Sequence, residues 1–277
     1  MRNINNMRNI NKSKFDKSGY IIIDEIISGD LIDGIIKSLL TLLNKYQPKL
    51  FSNDFSSDIL IDDEFNKNLI QFRSNHPDVF GAIYDSLQSC VSTKKIASQD
   101  KISDVLASLT GNIKESFVCC DHSIRMDGPN DKRNKLDWHT DIYAGDLNHS
   151  RLGGFTVWCP LHDVNPESGS LTICVGSHKD NVIQNIKVNK ANVSNKYMIN
   201  NEDVKKFDIL KTTINKGTAI ISPMNLVHKS GDNLTNNFRF TFVARYYCVS
   251  YNDYLPGYNE FKLSKIVREK ISSRKYR

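Results

Sequence analysis

Long apolar runs are missing from this sequence: none approaches the ~18 residues that a bilayer-spanning helix requires. The opening MRNINNMRNINKSK is polar and has no apolar middle of the kind a secretion signal carries. No membrane span is expected, and the cytoplasm is the expected location. Cysteine is too thinly spread for a disulfide scaffold. Cys90, Cys119, Cys120, Cys159, Cys174 and Cys248 are irregularly spaced over 277 residues and form no CxxC pair. Free thiols in a reducing compartment are the simplest account. Also absent are a domain linker, a structural repeat and a nucleic-acid-binding motif. The last absence matters because the net charge is +6, and much of the excess sits near the end. Lys262, Lys265, Arg268, Lys270, Arg274, Lys275 and Arg277 stand there against Glu269 alone. Leu263, Ile266, Val267 and Ile271 recur among them at helical spacing. Residues 258–277 are therefore expected to form a helix with a solvated basic face, and nucleic acid is not an expected partner.

What remains is ordinary for a globular protein: 39% hydrophobic and 25% charged residues, in a chain long enough to bury a substantial core. Residues 1–14 are expected to be a disordered tail, and 15–277 a single domain with helices over about 15–114. Tyr20 to Ile23 reads as a buried strand. Leu31 to Tyr46 reads as an amphipathic helix whose stripe is Leu31, Ile32, Ile35, Ile36, Leu39, Leu40 and Leu43. Residues 62–90 are helical in period, divided at Pro77, with Ile70, Phe72, Val79, Phe80, Ile83, Tyr84 and Leu87 as expected core positions. Val105 to Thr110 closes this half. From about 115 to 250 the texture changes to short β-prone runs separated by turn residues. They are SFVCCDHSIRM, the WHTD region, GGFTVWCPLHDV, GSLTICVG, GTAIISP and NFRFTFVARYYCV. Such spacing predicts an antiparallel sandwich or barrel. The expected class is α+β: a double-sheet jelly roll with the helices packed on one sheet. Residues 181–213, rich in Asn and Lys, are expected to be a mobile surface loop of the kind that lids active sites.

The most specific feature is Trp138-His139-Thr140-Asp141. Positions i and i+2 of a strand share a face, so His139 and Asp141 can aim an imidazole nitrogen and a carboxylate oxygen at one point. His228, after the run GTAIIS, is the candidate third ligand. Two histidines and one carboxylate are the facial ligand set of non-haem iron(II) oxygenases, whereas cysteine ligands would favour zinc. HxD alone is a weak signal, and two further pairs occur, His76-Pro77-Asp78 and His178-Lys179-Asp180. The first lies in the helical half. The second is the serious rival, which spacing alone does not exclude.

Arg239 lies 11 residues after His228, inside FRFTFVARYY. It shares a strand face with Thr241 and Val243, while Phe238, Phe240 and Phe242 share the other, which is expected to meet the helices. An inward-facing arginine needs an anionic partner. A keto-acid carboxylate is one candidate, held by a bidentate fork with Thr241 adding a hydroxyl. An internal salt bridge to an Asp or Glu is the other. Ser123, Arg125 and Asp127 would likewise share one face. If it points inward, Arg125 suits an anionic group on the substrate; otherwise it meets solvent.

HTD at 139–141, then His228, then Arg239, in that order and spacing, resemble the phytanoyl-CoA dioxygenase family of iron(II)/2-oxoglutarate oxygenases. TVWCPLHDVNPESGSLTICVGSHK resembles the family's segment that closes on GSH(K), which places His178 in a turn away from the metal. FDKSGYIII resembles its N-terminal opening. The resemblance spans about residues 15 to 250. It implies a double-stranded β-helix, with iron(II) held by His139, Asp141 and His228 and the far carboxylate of 2-oxoglutarate held by Arg239. It also implies Trp158 and Ser123 near the co-substrate, although Trp158 equally suits plain core packing. O2 is the third reactant, and succinate and CO2 are released. Related halogenases replace the carboxylate ligand with a small residue, so Asp141 implies hydroxylation or a related oxidation, and the face carrying Arg125 makes a small polar or anionic molecule the expected substrate. Two other readings stay open on the residues: a metal-dependent isomerase or epimerase, and a non-catalytic binding protein on the same barrel.

Overall fold

The computed structural model of the chain describes residues 10–51, 55–131, 135–142, 153–180, 187–188 and 197–252. The basic segment 258–277 and residues 1–9 lie outside the described residues. Lys12 to Lys14, expected to lie in a disordered tail, begin α1, which spans Lys12–Ser18. The Asn11 side chain accepts the Lys14 N–H at its start, and Gly19, at φ 79°, closes it.

The helical half follows its periodicity. After β1 (Ile21–Ile23) come α2 (Gly29–Tyr46), α3 (Asp63–Asn75) and α4 (Pro77–Ser89), then α5 (Val91–Ala97) and α6 (Asp100–Thr110). Pro77 divides α3 from α4 by taking the first position of α4, where its missing N–H costs nothing. Ile32, Ile35, Ile36, Leu39, Leu40 and Leu43 of α2 are all buried. Two expectations fail on particular residues. Ile70 points outward from α3 at 37% exposure, and Phe65 and Leu69 fill the core in its place. β1 is an edge strand, not a buried one, with Ile22 exposed.

The second half is antiparallel. β2 (Phe117–Asp127), β3 (Gly154–Pro160) and β4 (Leu171–Cys174) are followed by the two-residue strands β5 (Lys187–Val188) and β6 (Tyr197–Met198), which pair with each other. Then come α7 (Asn201–Val204), β7 (Ile209–Lys211), β8 (Ala219–Pro223), β9 (His228–Ser230) and β10 (Arg239–Cys248). One sheet has the order β1-β8-β3-β10-β2 and the other β7-β4-β9. Two facing antiparallel sheets with helices on one of them are the predicted jelly-roll layers. The segment 181–213 is not one long loop: β7 belongs to the smaller sheet, and Ile199 and Val204 are buried in a cluster with Trp138.

The larger sheet works by alternation. Phe238, just before β10, and Phe240, Phe242 and Ala244 within it face the helices in one continuous core with Leu39, Leu69 and Phe80. Phe240 lies against Phe65, and Phe238 against Phe80. The other face of β10 turns towards the smaller sheet. Phe240 is fully buried, so Phe240→Ala should cost about 3–5 kcal/mol of unfolding free energy. Ile70→Ala, outside the core, should stay within about 0.5 kcal/mol. Urea titration of the two variants beside the parent checks both.

Candidate metal centre

Cross-strand register decides what the inner face of the larger sheet displays. Directly opposed residues share a face. Arg239 pairs Asp127, Thr241 pairs Arg125, Val243 pairs Ser123 and Arg245 pairs Asp121 along β10 and β2. On the other side of β10, Val243 pairs Trp158 and Arg245 pairs Thr156 of β3. Trp158 and Thr156 in turn pair Ile220 and Ser222 of β8. This one face therefore carries every polar group expected at the site except the ligands themselves.

The ligands come from the opposite side. His228 opens β9, and the segment carrying His139 runs beside it. The two residues exchange backbone hydrogen bonds of 3.0 Å in each direction, and Ser230 N–H donates to Leu136 O at 3.0 Å. The expected HTD strand is only this single bridge. After His139 the chain turns, and Asp141 N–H donates to Met224 O at 2.8 Å. The turn, not strand alternation, brings the carboxylate back beside the imidazole.

His139, Asp141 and His228 each offer a ligand atom within 4.8 Å of the others. His139 Nε2 lies 3.8 Å from Asp141 Oδ1, and His228 Nε2 lies 3.9 Å from Asp141 Oδ2. Both Nδ1 atoms are spoken for, His139 by Asp137 O at 2.6 Å and His228 by Leu226 O at 3.0 Å. A carbonyl only accepts, so each Nδ1 carries a proton and each Nε2 is the atom turned towards a metal. Burial, with His228 alongside, holds the His139 pKa down to about 3, so that ring is neutral. Burial alone would push the Asp141 carboxyl up, but Arg245 first, then the two histidines and Thr156, hold it well below the usual range. Thr156 Oγ1 donates to Asp141 Oδ2 at 2.6 Å, and Arg245 Nη2 to Oδ1 at 2.8 Å. Two imidazoles with their Nε2 atoms turned inward, an ionised carboxylate and this spread fit a divalent metal with open positions.

The rival histidines are elsewhere. His178 sits in a single 3₁₀ turn, where its Nε2 donates to Asp16 O, and His76 is an exposed cap between α3 and α4. Trp158 lines the narrow cavity with the three ligands, and so do Arg125, Arg239 and Arg245. Trp158 also packs among Leu171, Ile173 and Ile220, so lining and core packing are both its role. Ser123 is half-buried on the same face. Arg125 faces the cavity, with its side chain 18% exposed and Nη2 3.4 Å from Asp127 Oδ1. A much larger groove, about 1300 Å³, lies on the helical side, lined by Arg73, Phe80, Asp131 and Phe238. Size alone would mislead there, since it holds none of the ligands.

Arg239 has the internal partner that was one of its two expected fates. Nη2 pairs with Asp127 Oδ2 at 2.6 Å, and Nη1 donates to Gly169 O. Burial works against the Asp127 carboxylate, but Arg125 and Arg239 outweigh it and keep its pKa below the usual value. A guanidinium has five N–H donors, so two contacts do not exhaust it. Its Nε and the hydroxyl of Thr241 on the same face are buried without a hydrogen-bond partner among the described residues. The sequence reading missed Arg245 and Thr156, the groups that hold Asp141. Arg245 was within reach, because it continues the face of Arg239, Thr241 and Val243 at period two.

Comparison with known proteins adds ancestry to this geometry. The profile of the family described as phytanoyl-CoA dioxygenase matches residues 15–241. An ectoine dioxygenase of Sphingopyxis alaskensis is 22% identical over 237 residues, covering 80% of this chain and 69% of that protein. The structure of EctD from S. alaskensis with 2-oxoglutarate and 5-hydroxyectoine superposes with a TM-score of 0.57 at 18% identity, over 92% of this chain and 80% of that one. The epimerase SnoN, crystallised with Fe3+, alpha ketoglutarate and nogalamycin RO, superposes with a TM-score of 0.58 at 15% identity, over 91% of each chain. At these identities the structural likeness establishes the fold.

Gly169 is the tightest constraint around Arg239. Its φ is 81°, and an added Cβ would press on Arg239 Nη1 and on the backbone of Asn233 and Gly231. Gly169→Ala should therefore cost about 1–3 kcal/mol, measured as a lower urea midpoint with an unchanged slope.

Proposed function

The chain belongs to the phytanoyl-CoA dioxygenase family, and we propose that it is an iron(II)- and 2-oxoglutarate-dependent dioxygenase that oxidises a small polar molecule, with His139, Asp141 and His228 as the iron ligands. The observation that carries this reading is the convergence of two imidazoles and one carboxylate, each offering a ligand atom within 4.8 Å of the others. Bound iron(II) supplies O2 activation with 2-oxoglutarate as reductant, which leaves as succinate and CO2.

The protein's own residues orient and shield. The backbone carbonyls of Asp137 and Leu226 fix the two imidazole rings. Arg239, steadied by Asp127 and Gly169, offers its remaining N–H donors to the far carboxylate of 2-oxoglutarate, and Thr241 adds its unpartnered hydroxyl. Trp158 supplies an apolar wall, and Ser123 lies farther along the same face. Arg125 faces the cavity from β2 and is placed to meet an anionic or polar group of the substrate.

A second outcome has a specific observation behind it. This fold also carries SnoN, an epimerase crystallised with alpha ketoglutarate. Product analysis, not co-substrate turnover, separates hydroxylation from epimerisation. No described helix is long and apolar enough to cross a membrane.

Anaerobic addition of iron(II) and then 2-oxoglutarate should raise a visible charge-transfer band. The band should vanish in His139→Ala, and in Arg239→Ala it should need at least about tenfold more 2-oxoglutarate, the loss expected for a buried charge-assisted contact. Iron binding without a band would leave the isomerase and binding-protein readings standing. Once a substrate is found, Arg125→Ala should raise its KM about tenfold or more with little change in the KM for 2-oxoglutarate. An unchanged substrate KM would remove Arg125 from the substrate site.

A further inference from the structure

Arg245 has no part in the reading above beyond touching a ligand, yet its surroundings are unusual. Its guanidinium spans two carboxylates, donating from Nη2 to Asp141 Oδ1 at 2.8 Å and from Nη1 to Asp121 Oδ2 at 2.7 Å. The two are not equivalent. The Asp141 side chain is 2% exposed and that of Asp121 is 49% exposed. Solvent screens the outer pair, so most of the guanidinium's charge acts on the inner one. Nε of Arg245 is buried with no partner among the described residues, which leaves no third anion on it there. Among the described residues, the other side-chain hydrogen bond to Asp141 comes from the hydroxyl of Thr156, which carries no charge.

This arrangement has two consequences of opposite sign. Without a metal, Arg245 is the cation that hydrogen-bonds the buried Asp141 carboxylate, and breaking one side of such a buried pair is strongly destabilising. With a metal, the same guanidinium repels the ion and has already neutralised part of the charge the ion would meet.

We propose that Arg245 is a positioning residue that stands in for the metal's charge. It keeps the ligand set folded and aimed when the metal is absent, and it weakens metal binding as the consequence. The inference rests on reading His139, Asp141 and His228 as metal ligands.

The test compares the full chain with Arg245→Gln, Arg245→Lys and Asp121→Asn. Glutamine keeps one N–H for Asp141 and removes the charge. Melting is followed with chelator and with manganese(II), and manganese(II) affinity is measured by equilibrium dialysis. Metal-free Arg245→Gln should melt about 5 °C or more below the parent, the scale set by breaking one side of a buried pair in a chain of this size. Its gain in melting temperature on adding manganese(II) should exceed the parent's. Its Kd for manganese(II) should tighten at least about threefold, since a nearby cation has been removed. Arg245→Lys should fall between the two. Asp121→Asn frees the guanidinium for Asp141 alone and should loosen the Kd about twofold. It keeps the idea testable if Arg245→Gln does not fold. Equal losses in melting temperature with and without manganese(II), a weaker Kd in Arg245→Gln, or an unchanged or tighter Kd in Asp121→Asn would overturn the role. A parent that binds no manganese(II) or iron(II) sinks the metal reading and this role together. A parent that binds, beside an Arg245→Gln variant with the same metal-induced gain, sinks only the role of Arg245.

Discussion

A carboxylate removed from water must be held by donors or it takes up a proton, and Asp141 is held by donors that the other sheet supplies. Its own segment runs beside β9, on the smaller sheet. Thr156 and Arg245 are direct cross-strand partners on β3 and β10 of the larger one. The ionised state of this side chain and the closure of the two sheets are therefore the same contact. If the sheets separated at this point, the carboxylate would lose both donors, and the histidines would face a neutral acid instead of an anion.

The larger sheet can serve this site only because its two faces do different work. Along β10, Arg239, Thr241, Val243 and Arg245 look into the cavity, while Phe240, Phe242 and Ala244, with Phe238 just before the strand, look into the helical core. A slip of one residue would exchange the sets. The phenylalanines buried under α3 and α4 thereby fix the register that delivers the arginines. Asp127 secures the far end by taking Arg239 directly across from it in the pairing of β10 with β2. That internal pair is compatible with an anchoring role, since it fixes the plane of the guanidinium and leaves further donors for a second carboxylate.

Some of this was legible beforehand and some was not. The stripe of α2 runs through 18 residues at one period, so its buried side chains stood out. Ile70 was misplaced because Phe65, Leu69 and Phe72 fill the inward stripe of α3, and that choice belongs to packing. The HTD pair pointed to the right ligands for a reason that holds only in part, since the segment makes one bridge with His228 and then turns. Arg245 was overlooked because its acidic partners lie 104 and 124 residues away in the chain.

By itself, the sequence determined which side chains could bind a metal, in what order they occur, and which residues alternate on each strand. Those properties follow from side-chain chemistry and from the short periods of helix and strand. Tertiary structure decided which groups meet. It put Arg239 on Asp127, put Arg245 on Asp141, turned Arg125 towards the cavity and packed Ile199 and Val204 against Trp138. Such pairings depend on cross-strand register and on the stacking of one sheet over another. A charge chooses its partner by distance in space, and separation along the chain carries almost no information about that distance.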